Sequence, residues 1–275
     1  MRTLPILLSL VLCAASGLRA QGVVVAPHVV VIDHRTRSAS ITLYNPGNEP
    51  AEVELSSFFG YPVTDADGDF ELATPAEPGA LPSAAEWVEA YPRRMVIGPL
   101  ERQTVRLMAR APGGLADGEY WSRVMITARG GTVPVAMADT IPGIQVGLDL
   151  EVRTIIPLQY RKGPVTTGVD VQDLRAERGP DASVIARARL TRQGSAAFVG
   201  TAILRLYDAS GAQVLRHEAP LAVYTEADPR FELGPVRGSG PFRLDIELLA
   251  ERSDLAREQL VPAEPVHASV TVHLP

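Results

Sequence analysis

The stretch IPGIQVGLDLEVRTIIPLQYRKG, residues 141–163, decides how this chain is expected to fold. In its first half an apolar residue occupies every second position, and the residues between them are polar or glycine. The apolar positions are Ile144, Val146, Leu148, Leu150 and Val152. Because successive side chains of a β-strand point to opposite faces, these residues form one stripe. The sequence therefore predicts a long strand with one apolar face.

Basic residues follow this apolar stripe. Arg153 comes directly after it, and Arg161 and Lys162 lie at the end of the stretch, where Lys162 is the only lysine of the chain. A strand with an apolar stripe and positive charge at one end could bind an extended peptide together with its carboxylate. The alternative, which the alternation alone favours, is an ordinary core strand of a β-sandwich.

The amino terminus has the pattern of a cleaved secretory signal. Residues 1–20 contain Arg2, then an apolar run, then small residues up to Ala20. The residue before Cys13 is leucine, whereas a lipoprotein signal carries a small residue there, so we expect a soluble periplasmic or secreted protein. Elsewhere no run of about 18 apolar residues occurs, so no transmembrane span is expected in the mature chain.

Composition excludes several classes of function. Cys13 is the only cysteine and would leave with the signal, so neither a disulfide nor a thiolate metal site is expected. Without Arg2 and Arg19, the mature chain has 24 basic and 32 acidic residues, a formal charge of −8. Such a negative charge disfavours nucleic-acid binding, which depends on neutralising phosphates.

The rest of the chain is typical of hairpin-linked strands. The opening apolar run from Val23 to Ile32 contains Pro27, which cannot donate a ladder hydrogen bond, so this strand is expected to break there and cross between sheets. About seven short strands precede Gly163, and further alternating segments follow Pro164. We therefore predict an all-β protein with two β-sandwich domains, residues 21–160 and 161–275.

Signals of catalysis are missing. The sequence contains no G-x-S-x-G motif, and its five histidines are scattered. Asp65–Asp69 resembles a calcium loop, but its glycine comes too early, and Asp67-Gly68 favours a hairpin turn. We expect no enzymatic activity, no metal, no cofactor and no small-molecule substrate.

Several segments in order resemble the amino-terminal domain of the PapD-like family of periplasmic pilus-assembly chaperones. They are the opening apolar strand, SASITLYN from Ser38, the block from Trp87 to Leu107, LADGEYWSRVMI from Leu115, the apolar stripe and the final IIPLQYRKG. Each piece is short, but their order and spacing together are fairly specific. The match covers roughly residues 22–165. Beyond them, the chain resembles the family only in having a second predicted β-sandwich.

The resemblance implies a fold and a function. In that family two immunoglobulin-like domains form an L-shaped molecule, and the first domain lends a strand to a pilin subunit that lacks one. The lent strand maps onto the apolar stripe. The implied partners are pilin-like subunits and an outer-membrane usher, and the implied location is the periplasm. The alternative is a non-enzymatic, two-domain structural or adhesive secreted protein.

The family also binds the subunit's terminal carboxylate with two basic residues. The first family position falls on Val29 here, and the second on Arg153 or Pro157, depending on the alignment. Arg153 and Lys162 are therefore the candidate carboxylate anchors. Arg161 matches a different family arginine, which pairs with an acid near the Glu119 position. We accordingly predict a Glu119–Arg161 salt bridge that steadies the hinge between domains.

Overall fold

The structure is a computed structural model that describes residues 22–134 and 147–274, with the backbone alone for 131–134 and 147–149. Strands dominate it, and the predicted all-β fold with two β-sandwiches is confirmed. Short 3₁₀ turns occur at Ala85–Trp87, Pro180–Ala182 and Arg257–Gln259. None of the helical segments in the described ranges is long and apolar enough to cross a membrane.

The first sandwich consists of two sheets and a separate hairpin. One sheet has the order β1-β3-β9-β7, the other has the order β2-β11-β10-β4-β8, and β5 pairs with β6. The strands are β1 Val24–Ala26, β2 Val30–Asp33, β3 Ser38–Tyr44, β4 Ala51–Phe58, β5 Tyr61–Thr64, β6 Phe70–Ala73, β7 Val88–Tyr91, β8 Arg94–Ile97, β9 Arg102–Ala109, β10 Gly118–Pro134 and β11 Gly147–Lys162.

The opening apolar segment joins the two sheets of this sandwich. Before Pro27, β1 pairs antiparallel with β3; after it, β2 pairs parallel with β11 in the other sheet. The predicted crossing is therefore confirmed. Alternating residues from both sheets meet in one core, where Ile41, Leu107 and Leu158 have almost no exposed surface.

The second sandwich follows after a short connection. Its sheets have the orders β12-β13-β16, with β17 also paired to β13, and β15-β14-β18-β19. The strands are β12 Thr167–Arg178, β13 Ser183–Gly194, β14 Phe198–Tyr207, β15 Gln213–Val223, β16 Glu226–Ala227, β17 Arg230–Pro235, β18 Phe242–Leu249 and β19 Val266–Val272.

Period-two alternation also builds the core of the second sandwich. Val184, Ala186, Ala188 and Leu190 lie on one face of β13, and all four are buried. β11 ends at Lys162 and β12 begins at Thr167, so the connection between the sandwiches is residues 163–166. A division between residues 160 and 161 falls inside β11, because the pairing of β11 with β10 continues to its last residue.

Candidate functional site

The long strand β11 leaves part of one edge uncovered. It pairs antiparallel with β10 along its length, from Gly147 opposite Pro134 to Lys162 opposite Gly118. On its other side, β2 pairs only with residues 158–161. Among the described residues, no strand covers this second edge at 147–157. The backbone groups of every second residue there are available to another strand.

The described part of the predicted apolar stripe lies along this uncovered edge. Leu150 has 41% of its surface exposed, and Val152 is half-buried next to Gly22. The backbone of Leu148 is paired with β10. Ile144 and Val146 lie outside the described residues. The two stripe side chains that the structure describes are therefore not enclosed by their own domain.

The same face of β11 enters the core further along the strand. Ile156, Leu158 and Tyr160 share the parity of Leu150 and Val152, and all three are buried. This face of β11 is therefore mostly apolar along its described length, but it is buried in the core near the end of the strand and partly exposed before that. The stripe is therefore continuous with the face of β11 that forms the core.

The opposite face of β11 carries a charged cluster beside the stripe. Glu151 accepts hydrogen bonds from Arg129 Nε and Arg153 Nε, each at 2.6 Å. The hydrogen bond from Arg129, and then that from Arg153, hold the pKa of Glu151 below its ordinary value. These charges make the face polar at Glu151 and Arg153, whereas Ile155 further along the same face is an exposed apolar residue.

Glu119 and Arg161 meet at the junction of the two sandwiches. Arg161 Nε lies 2.9 Å from Glu119 Oε2, and the Glu119 side chain has no exposed surface. Arg161 also donates to the carbonyl oxygen of Gln259 at 2.7 Å, and Glu119 Oε1 accepts from the Ala197 backbone at 3.0 Å. Each member of the pair therefore also binds the backbone of the second sandwich.

A hairpin of the first sandwich makes a second connection. The Arg230 backbone N–H donates to the Gly68 carbonyl at 2.9 Å, and that of Asp228 donates to Thr64 Oγ1 at 2.8 Å. Gly68 has a φ of +86°, and a Cβ there would lie 2.9 Å from the backbone nitrogen of Arg230. The predicted turn at Asp67-Gly68 is confirmed, and it packs against the second sandwich.

A cavity of about 370 Å³ lies between the sandwiches, beside the charged face of β11. Ile155 and Pro157 of β11 contribute to its wall, and Val199, Ala222 and Tyr224 contribute from the second sandwich. The lining is mainly apolar. Nowhere in the described ranges do three or more histidine, cysteine, aspartate or glutamate residues form a group that could hold a metal ion.

Solved structures of pilus chaperones resemble this chain. The structure of the YadV chaperone has a TM-score of 0.50 and 16% sequence identity, covering 90% of this chain and 99% of that one. The chain has the fold of these chaperones. The CupB2 chaperone of Pseudomonas aeruginosa follows at a TM-score of 0.43, with 10% identity over 90% of this chain and 100% of that one.

A third similar structure is a Salmonella enterica complex of the SafB chaperone with the SafA pilin. It has a TM-score of 0.45 and 13% identity, and the match covers 92% of this chain and 98% of that one. No protein-family model and no curated protein sequence matches the chain. The similarity is therefore one of fold, with little sequence identity.

The first expected basic position is apolar here, and so is one of the two alternatives for the second position. Val29 and Pro157 both line the cavity between the sandwiches. Arg153 and Lys162, the candidate carboxylate anchors, do not line it; Lys162 Nζ lies 3.0 Å from Asp117 Oδ1. An anchor at Arg153 and Lys162 stays a prediction, and in the structure each is already paired with an acid.

Sequence reasoning missed the charged residues of this cavity, among which Arg123 is buried. Arg123 lines it and lies directly opposite Pro157 in the pairing of β10 with β11. A signal was available, because Glu119, Trp121 and Arg123 follow the period of two and must share one face. The prediction of Glu119 at the junction therefore already placed Arg123 on the same surface.

Proposed function

We propose that this chain is a periplasmic chaperone that binds pilin-like subunits by adding β11 to their incomplete sheet. The observation that carries the proposal is that the uncovered edge at residues 147–157 coincides with the exposed apolar side of the same strand. Main-chain hydrogen bonds to an added strand give affinity for many sequences, and the side-chain stripe selects the register.

The energetics of this mode are adequate for an unstable client. Burying five apolar side chains at roughly 1.5–3 kcal/mol each gives about 7–15 kcal/mol. Association itself costs about 4–15 kcal/mol, so the net stabilisation depends on correct register and on the main-chain bonds. A shift by one residue would turn polar side chains into the client's groove, which makes the stripe a register device.

The remaining features fit this role. Residues 1–20 as a signal peptide would deliver the mature chain to the periplasm, where pilin subunits fold and an usher would receive the complex. We assign the two sandwiches, which residues 163–166 connect, to two immunoglobulin-like domains in an L-shaped arrangement. The Glu119–Arg161 pair would steady the hinge between them, and the proposal requires neither a catalytic step nor a cofactor.

The proposal is tested by photo-crosslinking. A photoreactive phenylalanine derivative replaces Leu150 in the mature chain, and the control carries it at Val96, which is 65% exposed on β8, at the opposite end of the same sheet. With periplasmic extract, position 150 should form an adduct with a secreted pilin-like subunit and position 96 should not. Equal adducts at both positions, or none at 150, would contradict strand donation and favour a structural or adhesive protein without a client.

A further inference from the structure

Opposite charges face each other across the outer surface of the sheet that contains β11. Arg94 of β8 is registered with Glu54 of β4, and Arg94 Nη2 lies 2.9 Å from Glu54 Oε1. At the next boundary, Glu52 of β4 is registered with Arg129 of β10. From β8 to β10, each strand of this sheet therefore meets its neighbour with a side chain of opposite charge.

The alternation of charge continues onto β11. Arg129 is registered with Glu151, and its Nε donates to Glu151 Oε2 at 2.6 Å. Arg153, two residues further along the same face, donates from Nε to Glu151 Oε1 at 2.6 Å. The terminal nitrogens of Arg153 form no hydrogen bond with any described residue, and 62% of its side chain is exposed. Glu151 and Arg153 are thus the last charges of the series before the uncovered edge.

A strand added along this edge would lie directly beside both charges. Neighbouring strands are about 4.8 Å apart, and side chains that are opposite each other on one face interact. The two residues of the added strand that face Glu151 and Arg153 are separated by one residue, so both lie on its outer face. Opposite charges at these two places stabilise the pairing of the strands, and like charges oppose it.

We infer that Glu151 and Arg153 select added strands whose outer face carries a basic side chain opposite Glu151 and an acidic side chain opposite Arg153. The inference rests on the proposed function and makes it more specific, because the apolar stripe requires only alternation, whereas the charges distinguish one alternating strand from another. The charges also fix the register. A shift by two residues keeps apolar side chains on the stripe face but separates the paired charges.

Charges at an exposed edge have a second explanation, which the test must separate from selection. Natural proteins place charged side chains on such edges to discourage aggregation. If Glu151 and Arg153 serve only that purpose, an uncharged strand binds at least as well as a charged one. Selection instead requires that a correctly charged strand binds more tightly than an uncharged strand.

The test uses peptides of eleven residues, the length of the uncovered edge at 147–157. Both termini are blocked, by acetylation and amidation, so that no terminal charge contributes. The frame is Thr-Val-Thr-Val-X-Val-Z-Val-Thr-Val-Thr, where X and Z are lysine and glutamate, glutamate and lysine, or glutamine twice. Calorimetry measures binding to the mature chain, and the photoreactive residue at position 150 reports whether the peptide lies on β11.

The better of the two charged peptides should bind about two- to thirtyfold more tightly than the glutamine peptide. Lysine before glutamate as the tighter binder indicates a parallel added strand, and glutamate before lysine indicates an antiparallel one. The double variant Glu151→Gln with Arg153→Gln should remove the advantage of the charged peptide. Salt at about 1 M should reduce it, because salt screens exposed charges.

The matched control is Glu54→Gln with Arg94→Gln, which removes one acid and one base of the same series away from the uncovered edge. It should leave the advantage intact, and circular dichroism melts show that each variant folds. If the glutamine peptide binds the unmodified chain as tightly as the charged ones, or if the advantage persists in Glu151→Gln with Arg153→Gln, charge selection is overturned and strand donation still stands. Absence of any peptide adduct at position 150 would contradict strand donation itself, and the selection with it.

Discussion

Replacing Leu150 by glutamate is expected to abolish client binding and leave the fold intact. Leu150 is 41% exposed and lies where β11 has no neighbour on its second side among the described residues. The folded chain already covers the larger part of this side chain, so the variant loses some stability but should stay folded, and a bound client would cover what remains exposed. The variant places a carboxylate in the apolar groove that the client would offer.

The magnitude follows from the exposed fraction. Burying a whole leucine side chain contributes roughly 1.5–3 kcal/mol, so covering the exposed 41% contributes about 0.6–1.2 kcal/mol. Leu150→Ala should thus weaken binding by about three- to eightfold. Leu150→Glu adds the desolvation of an unpaired charge, which is several kcal/mol, so binding should fall by at least about a hundredfold.

The assay is the dissociation constant for the subunit identified by crosslinking, measured by calorimetry, together with the urea midpoint of each variant. Val96→Glu is the matched control, because it adds the same charge at an exposed valine on the other end of the sheet. Equal affinities of Leu150→Glu and the unmodified chain would refute strand donation. Loss of a cooperative urea transition in Leu150→Glu would refute the claim that this substitution leaves the fold intact.

Three further predictions concern the junction and the charged face of β11. Arg161→Met should destabilise the chain by about 3–5 kcal/mol in urea unfolding, because it leaves the Glu119 carboxylate buried without its partner. The control, Arg153→Met on the same strand, should leave the urea midpoint unchanged. Gly68→Ala should lower stability by about 1–2 kcal/mol in thermal unfolding, because φ is +86° and a Cβ would meet the Arg230 backbone; an unchanged melting temperature would contradict close packing of the hairpin. In NMR titration the pKa of Glu151 should lie below the ordinary value of 4.5. The stability that its hydrogen bonds contribute is therefore present above the pKa of the unfolded chain and is lost as the pH falls through the pKa of the folded chain. Arg129→Gln should raise the pKa of Glu151, and a pKa that this substitution leaves unchanged would contradict the hydrogen bonds.

Local patterns were sufficient to predict the fold class. The alternation at 144–152 predicted a long strand, although its first residues lie outside the described part, and Pro27 predicted the crossing between sheets. Both signals are physical consequences of nearby residues, namely the strand period and a missing backbone donor. Each of these signals can be recognised from a few consecutive residues.

The contacts of the cavity could not be predicted in the same way. Arg123, Tyr224 and Gln259 come together only because the two sandwiches pack against each other, and no period in the sequence encodes that packing. The same applies to Gly68, whose turn was predictable but whose contact with Arg230 was not. The family resemblance also directed attention to Val29 and Pro157, whereas the buried charge lies on the neighbouring strand.

Amide hydrogen exchange along residues 147–157 tests the central claim most directly. In the free mature chain, every second amide of this segment should exchange rapidly, because alternate N–H groups of β11 face away from β10, while the others are protected. Binding of the subunit should slow the fast set. Uniform protection of the whole segment in the free chain would mean that the second edge is already covered, and it would contradict the account.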